Sequence, residues 1–408
     1  MALVLPFKAV RPQAKYAAQV AALPYDVMTR EEGQIAVVGK PLSFMHVEKS
    51  EIDMPDGTRP DDVRIYETAS RNFGKLREDG ILKQDDAPCY YIYRQQMGAQ
   101  VQTGIVGVMS ALEYDEGKIK KHELTRQDKE DDRIRHVDNV NAQTGPVFVS
   151  YMARPGINAI VEKIVAGSPE YDFTAEDGVI HTAWVVTEAA LIEKLKGEFA
   201  QVGALYIADG HHRAAAAATV ARKRRKPGEE QEADRVLAVF FPHNQLKVMD
   251  YNRAVKDLHG LTKDQFLEKI SAKFTVTKNV AAKSPERLHD FGMYLEGVWY
   301  GITIKEDVYD AKDPVASLDA AILQDHLLAP VLGIADPRTD DRIKFIGGIR
   351  GMAELEKLVN QDGFAVAFSL YATTMEQIMK VADAGAIMPP KSTWFEPKLR
   401  SGLFVHNL

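Results

Sequence analysis

The sequence predicts a mixed α/β protein, and three observations support this fold class. Short apolar runs alternate with segments of helical periodicity along almost the whole chain. The chain has 408 residues, of which 45% are hydrophobic and 27% charged, as is usual for a globular protein with a large core. One apolar run ends abruptly in charged residues at 205–213, which is typical of a buried strand that leads directly into a helix.

The first elements of the chain are a helix and a hairpin. Apolar residues recur at helical spacing between Pro60 and Gly80, and this glycine predicts the end of the helix. Two strand-like runs follow, Cys89–Tyr93 and Gly104–Leu112, with Gly98 in the polar segment between them. They predict an antiparallel β-hairpin. We therefore expect residues 1–85 to form an N-terminal extension and a core to begin at residue 86.

The core continues with a polar stretch at 121–135, which predicts a helix, and with alternating strands and helices. The predicted elements are strands at Val147–Tyr151 and Ala183–Val186, a helix around Leu191–Phe199, a strand at 205–209 with a helix after it, and a strand at Val236–Phe241.

A capping signature marks a further region. Thr262 followed by Gln265 predicts a helix N-terminus, and we place a domain boundary near residue 255. The core then spans 86–255 and a C-terminal α/β region spans 256–408. Its predicted elements are a helix through Leu318, Ile322 and Leu328, a strand at Ile343–Ile346, a helix around Leu355, a strand at Phe364–Leu370 and a helix opened by Thr373 with Glu376.

The most informative segment is the turn Asp209-Gly210-His211-His212-Arg213, which five alanines follow. A glycine turn between a strand and a helix places these side chains at a helix N-terminus, which attracts anions. Arg213 adds a planar donor that suits phosphate, and Asp209 offers a ligand for a metal ion or an amine. In the alternative interpretation, Asp209 caps the helix and the histidines are solvated.

A second group of polar residues is His122, Glu123 and Arg133. Glu123 lies where strands give way to the polar helix, from which a carboxylate can face a cleft and act as a general base. The alternative is a solvated helix surface. The pattern lacks the second histidine of a metalloprotease, and the chain has no phosphate loop and no dinucleotide-binding glycine motif.

The C-terminal segment Met388–Lys398 contains Lys391, Ser392 and Thr393 between prolines. Proline restricts its own φ and the residue before it, so we expect a shaped loop rather than a flexible tail.

Composition limits the partners. The net charge of −7 argues against a nucleic-acid-coating protein, so no nucleic-acid partner is expected. Cys89 is the only cysteine and no apolar run is long enough for a membrane span, so we expect a cytoplasmic protein that acts on a small molecule. The oligomeric state is left open.

Three segments resemble those of the free serine kinases of the ParB-like superfamily, in the same order. They are Lys121-His122-Glu123, Tyr206–Arg213 and Pro390-Lys391-Ser392-Thr393. Over its full length the chain resembles the Domain of Unknown Function 1015 family, through Pro6–Pro12, Pro24–Val27, Asp209–Arg213 and Met388–Lys398. The resemblance implies a ParB/sulfiredoxin-like core and phosphorylation of the hydroxyl of free L-serine. The small kinases lack the extension of about 85 residues, which leaves the acceptor open.

The resemblance also implies roles for the matched residues. Glu123 would accept the proton of the acceptor hydroxyl, and Asp209 would bind the acceptor or Mg²⁺. The phosphates of the donor, which is ATP, ADP or pyrophosphate, would be held by Gly210, His211, His212 and Arg213, and by Lys391, Ser392 and Thr393. Arg133 is a further candidate that no motif supports.

Two other functions stay open. ParB-like domains also serve as nucleotide-binding regulatory proteins, although no helix-turn-helix is evident. A metal-dependent phosphoester hydrolase could use His122, Glu123, Asp209, His211 and His212, because metal ligands can be scattered along a sequence.

Overall fold

The structure is a computed structural model that describes residues 3–226, 228–281 and 283–408. The chain forms two compact units: the first extends to Leu246 and includes Pro397–Leu408, and the second is Lys247–Glu396. Both units contain helices and strands, so the predicted mixed α/β class is confirmed. The division at residues 85 and 255 and the ParB/sulfiredoxin-like core remain predictions.

In the described residues, no helix is long and apolar enough to cross a bilayer. The α-helices are α1 (Ala17–Val20), α2 (Arg30–Ala36), α3 (Met45–Glu48), α4 (Val63–Glu78), α5 (Ala111–Asp115), α6 (Gln127–Val140), α7 (Pro155–Val165), α8 (Ala189–Phe199), α9 (His211–Arg224), α10 (Lys263–Ser271), α11 (Asp319–Leu323), α12 (Gly351–Asn360) and α13 (Met375–Asp383). A π-helical turn, Gln324–Leu328, continues α11.

Capping explains where the predicted helices begin. The Asp62 carboxylate accepts a hydrogen bond from the backbone N–H of Arg64, so α4 begins after Asp62 rather than at Pro60. The capping box of α10 forms between Thr262 and Gln265, as predicted. The prediction for α13 is wrong by one residue, because Thr374 and Gln377 form its capping box.

The strands are β1 (Val4–Leu5), β2 (Ala9–Pro12), β3 (Leu82–Gln84), β4 (Tyr90–Met97), β5 (Gln100–Ser110), β6 (Ile119–Lys120), β7 (Ala142–Gln143), β8 (Val147–Tyr151), β9 (Tyr171–Thr174), β10 (Ile180–Val186), β11 (Leu205–Asp209), β12 (Arg235–Pro242), β13 (Val248–Met249), β14 (Tyr251–Val255), β15 (Phe274–Lys278), β16 (Asp290–Leu295), β17 (Val298–Ile304), β18 (Ile343–Gly347), β19 (Val366–Leu370), β20 (Trp394–Phe395) and β21 (Val405–Asn407).

The main sheet of the first unit has the order β6-β11-β8-β12-β5-β4-β10-β9, and β1 pairs with β5. The predicted hairpin is β4–β5, in which Met97 pairs with Gln100 and leaves a two-residue turn. Gly98 has a φ of +58° in this turn, which a glycine adopts without strain. A second sheet has the order β3-β2-β21-β7 and joins the two ends of the described chain.

The alanines after the charged turn fix the position of α9. Ala214 and Ala218 are fully buried in the core beneath the main sheet. Ala216 and Val220 pack instead with Ile134 of α6. A helix enclosed on two sides needs small side chains, because larger ones would hold the neighbouring backbones apart. The alanine run therefore lets α9 lie close to the sheet and holds its first turn at the sheet edge.

The second unit is built on a sheet of order β15-β17-β16-β19-β14-β18. Phe266 and Ile270 of α10 pack in its core against Phe291 and Ile302 of the sheet. Strands β18 and β19 were predicted from the sequence, whereas β14 to β17 were not. Strands β16 and β17 pair antiparallel as a hairpin.

Candidate functional site

Two segments that are distant in sequence leave the main sheet at the same edge. β6 and β11 pair in parallel, with Ile119 opposite Leu205 and Lys120 opposite Tyr206. Because parallel strands run in one direction, the residues that follow them emerge on the same side of the sheet. Residues 121–126 therefore lie beside the turn between β11 and α9. Since α6 begins at Gln127, Glu123 precedes the polar helix instead of starting it.

Gly210 makes the turn between β11 and α9. Its φ of +86° lies in the left-handed region, which residues with a Cβ rarely adopt. A Cβ here would also lie 3.0 Å from the guanidinium carbon of Arg213. Gly210 is itself the N-cap of α9, and no side chain among the described residues caps it, so Asp209 does not have the capping role of the alternative interpretation. The N-terminus of α9 thus keeps backbone N–H groups that can bind an anion.

His122 and His211 form a buried, perpendicular pair. Their ring centroids are 4.6 Å apart at an interplanar angle of 88°. Burial lowers the pKa of His122 to about 4, although the charge of Asp209 opposes this change. Burial also lowers the pKa of His211 well below its ordinary value, and the neighbouring His122 adds to the effect. Both imidazoles are therefore neutral near pH 7.

Glu123 completes a cluster with these two histidines. Its Oε2 atom lies 3.8 Å from His211 Nδ1, and its side chain keeps 46% of its surface exposed. One nitrogen or oxygen from each of His122, Glu123 and His211 lies within 4.8 Å of the others, which is close enough for one metal ion to be held between them. The cluster thus combines a carboxylate that solvent can reach with two neutral imidazoles.

Asp209 is an anion between two cations. Its Oδ2 atom lies 3.3 Å from Lys398 Nζ and 3.9 Å from Arg213 Nη2. Burial on its own would raise the pKa of Asp209, but the charges of Lys398 and Arg213 outweigh it and hold the pKa below its ordinary value. Asp209 is therefore ionised, and the three groups together carry a positive charge.

The guanidinium of Arg213 is buried and only partly bonded. Its Nη1 donates to the carbonyl oxygen of Pro146, the residue before β8. Its Nε has no hydrogen-bond partner within the part of the chain that the structure describes. The Nε–Nη2 edge is thus the part of the planar guanidinium group that can bind an anion through two hydrogen bonds.

His212 holds the segment that follows β6. Its Nε2 accepts a hydrogen bond of 3.0 Å from the backbone N–H of Arg126. Burial lowers the pKa of His212, so the ring is neutral and can accept this bond. The bond ties the end of the 121–126 segment to the first turn of α9.

Arg133 lies in α6 and contacts the N-terminal region. Its guanidinium carbon is 3.9 Å from the ring centroid of Tyr25, and its Nη2 is 2.8 Å from Asp132 Oδ2. Its Nη1 donates to the carbonyl oxygen of Glu48 at 3.3 Å. These contacts give Arg133 a structural role, and a role in binding a ligand remains a prediction.

The loop with Lys391, Ser392 and Thr393 belongs to the second unit. Lys391 has a φ of +56°, and its carbonyl oxygen accepts a hydrogen bond from Arg253 Nη2 at 3.0 Å. The buried Ser392 donates from its hydroxyl to the carbonyl oxygen of Pro389 at 2.7 Å. The loop therefore has a fixed local shape within its unit. Phosphate binding by the three residues remains a prediction.

Lys398 contacts Asp209 and was not predicted from the sequence. It is separated from Asp209 by 189 residues, and Gln95 of β4 holds its carbonyl oxygen through a hydrogen bond of 2.9 Å. The available signal was its position at the end of the Met388–Lys398 segment. No spacing rule connects such a lysine with an aspartate on a distant strand.

Several solved structures are similar to this chain at low identity. A free serine kinase in complex with AMP is 16% identical, with 71% of this chain and 86% of that chain covered and a TM-score of 0.36. A conserved hypothetical protein from Pyrococcus furiosus is 16% identical, with coverages of 72% and 92% and a TM-score of 0.35. SbnI with a C-terminal truncation, from Staphylococcus aureus, is 11% identical, with coverages of 71% and 82% and a TM-score of 0.39.

The family assignment depends on a sequence match over most of the chain. No curated protein matches the chain. The sequence model of the family described as "Protein of unknown function (DUF1015)" matches residues 4–321, and this range includes both the extension and the Asp209–Arg213 turn. The chain therefore belongs to the DUF1015 family.

Proposed function

We propose that the protein is a small-molecule kinase that transfers a phosphoryl group to the hydroxyl of free L-serine or a similar metabolite. The observation that carries the proposal is the parallel pairing of β6 and β11, which brings Glu123 to 3.8 Å from His211. Two of the segments that resemble the free serine kinases therefore meet at one edge of the sheet. Phosphoryl transfer needs this proximity between an acceptor base and a phosphate-binding turn.

In this proposal the donor phosphates bind at the N-terminus of α9. Phosphate oxygens would be bound by the backbone N–H groups that follow Gly210 and by the side chains of His211 and His212. The Nε–Nη2 edge of the Arg213 guanidinium would bind them as well. Lys398 would add positive charge at Asp209, from 3.3 Å. Phosphate binding by Lys391, Ser392 and Thr393 of the second unit stays a prediction from the resemblance.

The acceptor would bind between Glu123 and Asp209. Glu123, whose side chain is 46% exposed, would take the hydroxyl proton as the oxygen attacks phosphorus and the bond from phosphorus to the rest of the donor breaks. Asp209 would bind the acceptor or Mg²⁺, as the resemblance to the free serine kinases implies. We expect Mg²⁺ to enter with the donor's phosphates, because two imidazoles and one carboxylate are a poor match for an ion that prefers oxygen ligands.

One specific observation favours a second candidate, a metal-dependent phosphoester hydrolase. The cluster of His122, Glu123 and His211 has the ligand types of a metal centre, and such a centre can generate a hydroxide at neutral pH. A hydrolase would consume a phosphate compound without needing an acceptor.

The experiment that tests the proposal follows phosphorus through the reaction. Purified protein is incubated with L-serine, Mg²⁺ and one of ATP, ADP or pyrophosphate, and the products are followed by ³¹P NMR, with L-threonine and L-homoserine as further acceptors. The kinase proposal expects a phosphorylated amino acid with at least one donor. Release of inorganic phosphate without an acceptor supports the hydrolase, and binding of a nucleotide without turnover supports the regulatory protein.

A further inference from the structure

His122 has no role in the proposed phosphoryl transfer, yet it is almost fully buried in the site. Its exposed fraction is 2%, and that of His211 is 4%. Three ring nitrogens have no hydrogen-bond partner among the described residues: both nitrogens of His122 and the Nε2 of His211. A buried polar atom without a partner costs on the order of 1–3 kcal/mol, so three of them at one point need an explanation.

The geometry around these nitrogens is that of a ligand set. One donor atom each from His122, Glu123 and His211 lies within 4.8 Å of the other two, and the ring planes cross at 88°. Three protein ligands leave coordination positions for a substrate or water.

We propose that His122, Glu123 and His211 bind one divalent transition-metal ion such as Mn²⁺, Fe²⁺, Co²⁺ or Zn²⁺. Imidazole nitrogens are ligands for these ions, whereas Mg²⁺ takes oxygen ligands and gives up its water reluctantly. The inference goes beyond the kinase proposal, because a metal centre at this position would serve a kinase and a hydrolase alike. In either case one Glu123 oxygen would bind the ion, and the other would accept a proton from a bound hydroxyl or water whose pKa the ion would lower.

The test is a direct measurement of metal binding. The full-length protein is stripped with a chelator, dialysed and titrated by calorimetry with Mn²⁺, Zn²⁺ or Mg²⁺ alone. We expect one equivalent of Mn²⁺ or Zn²⁺ to bind at least about a hundredfold more tightly than Mg²⁺. His122→Asn and His211→Asn should each weaken Mn²⁺ binding by tenfold or more, as expected when a ligand is lost.

A matched control uses a histidine outside the cluster. His243 accepts a hydrogen bond from the backbone N–H of Ala153, so His243→Asn should leave metal affinity unchanged. Circular dichroism and urea unfolding show whether each variant is folded. In the wild-type protein, the visible absorption of bound Co²⁺ reports the ligands around the ion without the use of any variant. The inference is overturned if Mn²⁺ and Zn²⁺ bind no more tightly than Mg²⁺, or if a folded His122→Asn protein keeps wild-type affinity.

Failure of this inference and failure of the kinase proposal are distinguishable. A protein that forms phosphoserine but binds no transition metal at this cluster contradicts only the metal site. A protein that binds Mn²⁺ through His122 and phosphorylates no amino acid contradicts only the kinase proposal.

Discussion

Two buried histidines near opposite ends of the same sheet, His181 and His122, differ in whether their ring nitrogens have hydrogen-bond partners. His181 of β10 is fully buried, and its Nδ1 lies 2.7 Å from the hydroxyl of Tyr93. Its Nε2 accepts a hydrogen bond of 3.3 Å from Arg400 Nε, and Arg400 is paired with Asp177. At the other end of the sheet, His122 is equally enclosed, but neither of its nitrogens has a partner in the described structure.

The difference indicates which cluster stabilises the fold and which is available for chemistry. Hydrogen bonds on both nitrogens fix the tautomer and orientation of a ring, so the His181 cluster is structural. Unsatisfied buried groups lower stability and are retained where a ligand completes them. The difference supports the proposed ligand-binding role of His122, Glu123 and His211, and it gives His181 a structural role.

The largest effect is expected for Glu123→Gln, which keeps the size of the side chain and removes its basicity. Turnover should fall by about two to four decades while donor affinity stays nearly constant, because general-base assistance acts on the transition state. Steady-state kinetics and donor binding, measured on the same preparation, check this prediction. Full turnover in a folded Glu123→Gln protein would remove Glu123 from the mechanism.

A matched pair of leucine substitutions tests the comparison through stability. His181→Leu should lower the free energy of unfolding by about 3 kcal/mol, because the hydroxyl of Tyr93 and the Nε of Arg400 lose their partner. His122→Leu removes unsatisfied nitrogens and should change it by less than about 1 kcal/mol, or increase it. Urea unfolding measures both. Equal losses in the two variants would show that the clusters do not differ in this way.

Arg213→Lys is expected to weaken donor binding by about one to two decades, because lysine cannot reproduce the planar fork. The buried position of Arg213 makes an unfolding control necessary. Donor titration of the folded variant provides the measurement. Unchanged affinity would place the phosphates elsewhere.

The smallest effect is a pH dependence of stability. Burial lowers the pKa of His181 to about 3. The charge of Arg400 also lowers this pKa, and the charge of Asp177 opposes the shift. In the unfolded chain His181 has an ordinary pKa of about 6.5, so it takes up a proton as the pH is lowered below 7, while the folded protein does not. The free energy of unfolding therefore decreases as the pH is lowered from about 6.5 to 3. From pH 7.5 to 5 this histidine should account for a loss of about 2 kcal/mol. His181→Gln should lack that part of the loss, and identical pH profiles in urea unfolding would contradict the prediction.

The elements around the site could be predicted from local sequence, whereas its contacts could not. An apolar run identified β11, the alanines after it identified α9, and Gly210 identified the turn between them. The pairing of β6 with β11 could not be derived, since β6 has only two residues and no pattern specifies its partner. Lys398 was missed for the same physical reason, because a contact across 189 residues depends on the assembled fold.

The second unit shows the same limit. Capping residues at Thr262 marked the start of α10, because capping is a local interaction. The hairpin β16–β17 contains Gly292 and Gly301, which face each other in register. Glycine is depleted in strands, so the glycines in β16 and β17 weakened the sequence pattern that would have predicted them. Their pairing in the structure is nevertheless regular.

The most direct test of the proposed kinase activity is the rate of phosphoserine formation per folded molecule, compared between wild type, Glu123→Gln and His181→Gln at one temperature below all three unfolding transitions. We expect the wild-type protein to form phosphoserine, folded His181→Gln to keep a rate close to wild type, and Glu123→Gln to lose about two to four decades in rate. Phosphoserine formation at the wild-type rate by Glu123→Gln, or its absence in all three proteins with every donor, would contradict the proposed activity and the role of Glu123 in it.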